Sequence, residues 1–175
     1  MDTVIAPKHS EIDLDNINLK EKSCEDKVLL SKPLIFETSF MRVMGPVKST
    51  DYPNVCKLFT SPGDMIGFID HLESIIIDLV TSVGESWFSS NDVTYTSMIG
   101  DSKGVDYLEW NVFRDLFDHK RICDEDSVKL TVKIEEILIR DNTFFLVPIV
   151  HKVSMKRRVR YEVDDFADGE ELALN

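Results

Sequence analysis

The sequence predicts a mainly β domain with one long helix, and an α+β fold with an antiparallel sheet is the alternative. Two runs late in the chain alternate apolar and polar residues, as half-buried strands do. One stretch in the middle repeats its apolar residues at three- and four-residue spacings, as an amphipathic helix does. A chain of 175 residues is long enough for one hydrophobic core and short for two. We therefore expect a single domain, over residues 31–160, between two tails.

The first third of the chain predicts an arm followed by two strands. Residues 1–30 are polar and acidic without a sustained period, which is typical of a flexible or loosely docked N-terminal arm. Residues 34–44 are rich in β-formers and alternate between two faces, and a Gly45-Pro46 pair ends this run. A second, shorter strand is predicted over residues 55–60, after a turn.

The long helix is predicted over residues 61–84, as an insertion within the β domain. Ser61 can cap the unpaired backbone N–H groups, Pro62 suits the first helical position, and Asp64 places an acid in the first turn. Gly84 is a typical C-terminal stop. The apolar stripe between these ends predicts core packing, because such a face must be buried against another element.

The next stretch, residues 91–121, gives a mixed signal. Residues 93–99 alternate well enough for a strand, and a glycine-containing loop follows them. The segment DYLEWNVFRDLFDHKR, residues 106–121, is aromatic and charged, and we expect a helical or mixed insertion there.

A β-hairpin is the clearest element of the late chain. Residues 127–140 and 143–153 both read as strands, and Asp141-Asn142 between them is a two-residue turn signal. Pro148 lies inside the second strand, which predicts either an edge position or a bulge there, because proline cannot donate a ladder hydrogen bond.

The formal net charge of the chain is −12, but this charge is unevenly distributed. Residues 152–160 contain five cations, whereas the disordered tail predicted over residues 161–175 contains six acids and no base. The tail thus supplies half of the net charge. A basic strand end followed at once by an acidic tail indicates a protein that binds a polyanion beside its own polyanion mimic.

Several function classes find little support in the sequence. It contains no nucleophile-elbow, phosphate-loop or zinc-protease motif, so we expect no enzyme and no catalytic residue. Cys24, Cys56 and Cys123 are far apart and odd in number, which fits reduced intracellular thiols. The four histidines are isolated from them and from one another, so neither a metal nor a cofactor is expected. The start resembles no secretory signal, and we expect no membrane contact.

Nucleic acid is the better-supported ligand. A groove for single strands needs cations that follow the phosphates and flat side chains on which bases stack. The candidate phosphate ligands are Lys129, Lys133, Lys152, Lys156, Arg157, Arg158 and Arg160. The candidate stacking residues are Tyr95, Tyr107, Trp110, Phe144 and Tyr161. For the strand lysines an alternative stays open, since charged faces on edge strands also prevent edge-to-edge pairing.

The acidic tail has a candidate partner-binding motif in which an aromatic residue stands among acids. Its members are Asp164, Asp165, Phe166, Asp168, Glu170 and Glu171. Such a segment fits a basic, partly apolar pocket on a partner protein. It could instead cover the basic surface of its own chain until nucleic acid displaces it, and a merely solubilising tail is the third alternative.

The order of these parts resembles a known family. A strand with the sequence FETSFMRVM, a long helix before SWF, a TYTSMI strand, a late hairpin with a basic end and an acidic tail are together similar to the single-stranded DNA-binding proteins of short-tailed phages and their counterparts in large DNA viruses. The resemblance covers roughly residues 33–175 and implies an OB-fold, a five-stranded, partly open barrel. The family's tail usually ends on an aromatic residue, whereas Phe166 precedes Asn175 by nine positions.

We therefore expect a protein that binds single-stranded DNA during viral replication or recombination and recruits replication proteins through its tail. It should be soluble and intracellular, in the cytoplasm or nucleus of the host if it is viral, and homodimer formation is left open. The alternative is a non-enzymatic viral structural or regulatory module that binds another protein. In that case Trp110, Phe113 and Phe117 should form an exposed apolar patch.

Overall fold

The computed structural model describes residues 5–20, 26–83, 87–88, 92–117 and 121–157. Within this described part the structure is mostly β with one long helix, as predicted. Helix α1 (Met65–Val83) stands between the fourth and fifth strands. The strands are β1 (Lys27–Glu37), β2 (Met41–Arg42), β3 (Lys48–Ser49), β4 (Val55–Thr60), β5 (Thr94–Tyr95), β6 (Ile99–Ser102), β7 (Val105–Phe113), β8 (Ser127–Arg140) and β9 (Thr143–Lys156).

These strands form one open, mixed sheet. The main order is β1-β8-β9-β7-β4-β3, and β2, β5 and β6 pair with β8, β9 and β7 respectively. β9 runs parallel to β5 and β7, whereas the other pairs are antiparallel. Within the described residues the edge strands β1 and β3 do not pair with each other, so the expected β-barrel is corrected to an open sheet.

The predicted hairpin is confirmed as β8 and β9, which are both interior strands of the sheet. Asp141 in the turn has a φ of 55°, a left-handed conformation that aspartate and asparagine tolerate better than most residues. Pro148 pairs with Ile134, where the register of the ladder shifts. Of the two alternatives for this proline, the structure has the bulge, because β9 is flanked by strands on both sides.

One face of the sheet is buried against α1, and we call it the inner face. Ile69, Leu72 and Ile76 of α1 are fully buried in the same core cluster as alternate residues of the strands. The helix begins at Met65, four residues later than predicted. Ser61 is not its cap, because the Ser61 hydroxyl oxygen instead accepts a hydrogen bond from the Arg42 backbone N–H at 3.2 Å.

The helical or mixed insertion expected within residues 106–121 is wrong over its first half, residues 106–113. Residues 105–113 form strand β7, and a short 3-10 turn follows over Arg114–Phe117. In β7 the side chains of Leu108, Trp110 and Val112 are all buried on the inner face. This period of two, and not the abundance of aromatic residues, decides the backbone conformation.

Residues 5–20 of the arm predicted as flexible or loosely docked lie against the sheet and helix. The Pro7 carbonyl accepts a hydrogen bond from the Glu37 backbone N–H at 2.8 Å, and Leu14 is buried in the core. β1 begins at Lys27, seven residues before the predicted strand. That predicted strand is also interrupted after Glu37, which separates β1 from β2.

Candidate nucleic-acid interface

The outer face of the β8–β9 hairpin carries the lysines singled out from the sequence. In an antiparallel ladder, paired residues place their side chains on the same face of the sheet. Thr131 pairs with Lys152, Lys129 with Ser154, and Ser127 with Lys156. Lys133 lies two residues beyond Thr131 on the same strand and therefore shares this face. We call this set the lysine face: Lys129, Lys133, Lys152 and Lys156.

A β-bulge shapes the middle of the lysine face. Thr131 pairs with Lys152 whereas Val132 pairs with Val150, so that His151 is an extra residue in β9. His151 and Lys152 are consequently both exposed, although they are consecutive in the strand. A bulge of this kind redirects side chains locally, and here it brings an imidazole next to an ammonium group.

The four lysines differ in their electrostatic partners. Lys129 Nζ lies 3.3 Å from Glu37 Oε1 on the neighbouring strand β1, and Lys133 forms an ion pair with Glu135. Lys152 and Lys156 are exposed and form no ion pair with any residue in the described part of the chain. These two ammonium groups are therefore the ones most available to an external anion.

A groove of about 420 Å³ lies along this face. Its walls combine apolar side chains from the arm and β1 with polar and cationic side chains from the hairpin. The lining residues are Ile5, Ala6, Ile35, Glu37, Thr131, Lys133, His151 and Lys152. Apolar surface beside ammonium groups is the combination that a nucleotide needs, with its flat base and its charged phosphate.

The predicted stacking residues are placed less favourably. Trp110 and Phe144 are buried, with 0% and 3% of their surface exposed, so neither ring can receive a base, and the prediction for these two residues is wrong. Tyr107 is half-buried and packs edge-on against Phe59, with ring centroids 5.7 Å apart. The burial of Trp110 also removes the centre of the exposed aromatic patch that the alternative function required.

Tyr95 is part of a hydrogen-bond network around a buried carboxylate. Its hydroxyl donates a hydrogen bond to Glu73, a carboxylate of α1 that is only 5% exposed. Glu73 also accepts hydrogen bonds from the Ser97 hydroxyl at 2.6 Å and the Met98 backbone N–H at 2.9 Å. Burial, together with the hydrogen bond to Glu73 and its charge, raises the pKa of Tyr95 well above its usual range. This network ties α1 to the segment around β5.

Phe40 is an exposed aromatic residue that was not among the stacking residues predicted from the sequence. It lies in the interruption between β1 and β2, and 47% of its surface is exposed. The Lys129 ammonium lies 5.2 Å from the centroid of the Phe40 ring. The alternating pattern of FETSFMRVM assigned Phe40 to the same strand face as the buried Phe36, and only the break in the strand places it beside the lysine face.

The described chain ends just after the lysine face. Arg157 is exposed there, one residue beyond the end of β9. The remaining predicted ligands lie outside the described residues. They are Arg158, Arg160 and Tyr161, together with the tail residues Asp164, Asp165, Phe166, Asp168, Glu170 and Glu171.

Neither a metal site nor a membrane-spanning helix is found among the described residues. Among the described residues, no group of three His, Cys, Asp or Glu side chains is arranged to hold a metal ion. The one long helix in the described part, α1, does not combine the length and apolar character that a membrane span requires.

Comparison with known proteins gives one distant relative. Uncharacterized protein R506 of Acanthamoeba polyphaga mimivirus is 25% identical to this chain over 144 residues. The match covers 71% of this chain and 45% of the relative, so the chain matches less than half the length of that protein. No protein-family model and no solved structure matches the chain.

Proposed function

We propose that this protein binds single-stranded DNA through the lysine face and acts, without catalysing a reaction, in the replication or recombination of a viral genome. The observation that carries the proposal is the register of β8 and β9, which gathers four lysines on one exposed face. Two of these lysines, Lys152 and Lys156, have no carboxylate partner among the described residues.

The chemistry of this face suits a polyanion with flat bases. Ammonium groups on a strand follow phosphates electrostatically, and binding releases the counterions that had condensed on the nucleic acid. Phe40 and the apolar wall of the groove offer surfaces against which bases can pack. The net charge of −12 says little about the lysine face itself, because half of it resides in the tail beyond residue 160.

The viral role in this proposal is supported by the mimivirus relative. Binding of single-stranded DNA is supported by the family resemblance noted in the sequence. The fold contributes an open sheet with a solvent-facing side, on which the lysine face lies. Folds that bind single strands also use the face of a sheet.

We propose that the acidic tail either recruits replication proteins or competes with DNA for the lysine face. Because the tail follows the basic strand end directly, its effective concentration near that surface is high. Deletion of residues 162–175 should tighten DNA binding if the tail competes. Unchanged affinity would count against competition and leave recruitment or simple solubilisation, between which a pull-down with the tail peptide decides.

The main experiment is a fluorescence-anisotropy titration of a labelled oligo-dT with the wild type and with the double variant Lys152→Ala/Lys156→Ala. We expect roughly tenfold weaker binding for the double variant, and a slope of log affinity against log salt that is reduced by about 1.4, because each lost phosphate contact on a single strand contributes about 0.7. Its unfolding free energy should be unchanged, since both side chains are exposed.

A matched control is Lys20→Ala/Lys103→Asn, which removes the same charge from two exposed lysines elsewhere. Asparagine is chosen at position 103 because Lys103 has a φ of 54°, a conformation that asparagine tolerates. The proposal fails if the wild type does not bind at low salt, or if the control variant weakens binding as much as the lysine-face variant does.

A further inference from the structure

The register of the sheet links the lysine face to a second basic site at the opposite edge. Each residue in a ladder shares a face with its partner, so successive pairs define a row across the strands. One such row crosses β1, β8, β9, β7, β4 and β3 in that order. Its members are Ile35, Lys133, Ile149, Asn111, Lys57 and Lys48.

The length of this row matches an extended ligand. Neighbouring strands lie about 4.8 Å apart, so five steps between six strands span about 24 Å. The burial of the flanking residues confirms that the row stays on the outer face, because Val112 and Val150, which pair next to Asn111 and Ile149, are both buried.

The row ends on β3 at a second candidate cation, Lys48. Lys48 is exposed, and its ammonium lies 5.2 Å from the centroid of the Phe59 ring. Lysines on edge strands often only prevent edge-to-edge pairing. Here, however, the ammonium lies over a ring on the face of the sheet. Lys48 forms no ion pair with a described residue, whereas the adjacent Lys57 lies 2.5 Å from Glu109.

An exposed aromatic ring lies between the two basic ends. Phe113 is 47% exposed and is two residues from Asn111 on β7, so it shares the outer face with the row. Together with Val55, its partner on β4, it lines a small apolar cavity that reaches Val147 and Ile149 on β9. A large apolar ring on the solvent side of a central strand has no role in the core.

We propose that single-stranded DNA crosses the sheet perpendicular to its strands, from the lysine face to Lys48, with a base packed on Phe113 between them. This inference rests on the proposed function. It adds the route of the DNA across the sheet, its orientation relative to the strands and a second phosphate-binding position. It assigns phosphate contact to Lys48 and base stacking to Phe113. Neither residue was among the DNA ligands predicted from the sequence.

The test compares Lys48→Ala, Phe113→Ala and their combination with the wild type in titrations of oligo-dT of about 4 and about 16 nucleotides, which bracket the site sizes of single-strand-binding folds. For the longer oligonucleotide we expect roughly threefold weaker binding from the lysine variant and roughly fivefold from the phenylalanine variant. The shorter oligonucleotide should lose less, because its few phosphates cannot satisfy the lysine face and Lys48 together.

A direct readout comes from Phe113→Trp, which keeps a ring at this position. Its added fluorescence should be quenched by the longer oligo-dT in a saturable manner, and the same titration of the wild type measures the background from Trp87 and Trp110. Because ring and fold are retained, this variant remains informative if Phe113→Ala is unstable.

The outcomes separate the two proposals. Near-wild-type affinity of the combined Lys48/Phe113 variant for the longer oligonucleotide, while Lys152→Ala/Lys156→Ala weakens binding, overturns the crossing path and leaves the lysine face intact. Absence of wild-type binding overturns both. Roughly tenfold or greater loss in the combined variant, with the Lys20→Ala/Lys103→Asn control unchanged, supports the path.

Discussion

The two faces of strand β8 differ in both burial and charge. On the inner face Val128, Leu130, Val132 and Ile134 are fully buried. On the outer face the alternate positions carry Lys129 and Lys133, which remain partly exposed. The same backbone thus serves the core with one set of residues and presents charge with the other, and single substitutions can address either role separately.

Polar groups on the two faces of the sheet also differ in whether they have a hydrogen-bond or ion-pair partner. The Trp110 indole N–H donates to the Thr60 hydroxyl at 3.0 Å, so the buried ring has its hydrogen bond satisfied. On the outer face, by contrast, Lys152 has no ion-pair partner in the described part of the chain. A satisfied polar group specifies a packing arrangement, whereas an unpaired surface charge is available for binding.

The strongest test of this contrast is Trp110→Ala on the inner face. Removing a fully buried indole leaves a cavity and takes away the donor to the Thr60 hydroxyl oxygen, so we expect a loss of about 3 to 5 kcal/mol in the free energy of unfolding, measured by urea denaturation. The outward-facing Phe113→Ala is the matched control and should cost much less. Equal losses from both variants would contradict the division between faces.

Phe40→Ala should affect binding more than stability. We expect its affinity for oligo-dT to fall by about 1 to 2 kcal/mol, because the half-exposed ring next to Lys129 is lost as a stacking surface. Phe40→Tyr, which keeps the ring, should bind as the wild type does. Anisotropy titrations of both variants at one salt concentration decide the point, and equal weakening by the two would assign the effect to something other than stacking.

A smaller effect concerns pH and the buried polar network of α1. Folding raises the pKa of Tyr95 above that of the unfolded chain, so its neutral phenol stabilises the fold fully below about pH 10 and this contribution is lost as the pH rises further. Relative to Tyr95→Phe, the wild type should lose up to about 1.4 kcal/mol of unfolding free energy per pH unit there.

Urea denaturation of both proteins at pH 9 and pH 11 measures this difference. Tyr52→Phe is the control, because Tyr52 is 73% exposed and lies outside the hydrogen-bond network of Glu73. A pH dependence that is the same in the wild type and in Tyr95→Phe would show that Tyr95 does not carry it.

The smallest expected effect is that of Glu37→Gln on the outer face. Removal of this carboxylate releases Lys129 from its ion pair, and we expect oligo-dT to bind about twofold to threefold more tightly at low salt. Glu136→Gln removes the same charge from a pair with Lys27 at the other end of β8, where the two charged atoms are 3.7 Å apart. This control should change affinity less.

The sequence predicted the elements whose patterns are long and regular. The alternation over residues 127–153 and the turn at Asp141 specify the hairpin locally, and the apolar stripe specifies α1. Strand β7 was missed because its aromatic and charged residues obscured a period of two that only burial reveals. The side of the sheet on which Trp110 lies depends on pairing with β4, which is a long-range contact.

The candidate site was predictable in part for the same reason. Local alternation placed the four lysines on common strand faces, and the hairpin register then brought those faces together. The environment of Phe40 and the row that ends at Lys48 depend on a strand interruption and on the order of six strands. Neither follows from spacing in the sequence, because the strands involved come from distant parts of the chain.

The position of the hairpin in the sheet also has a consequence for how the chain folds. β8 and β9 follow all the other strands of the described part in chain order, and β1 must wait for residues about 100 positions later before it finds its partner β8. Until then β1 lacks β8 and β7 lacks β9. A local hairpin that forms quickly once it is complete can then organise the earlier strands. Translation should therefore leave apolar strand edges exposed until the hairpin has been synthesised, which predicts that chains truncated before residue 127 aggregate.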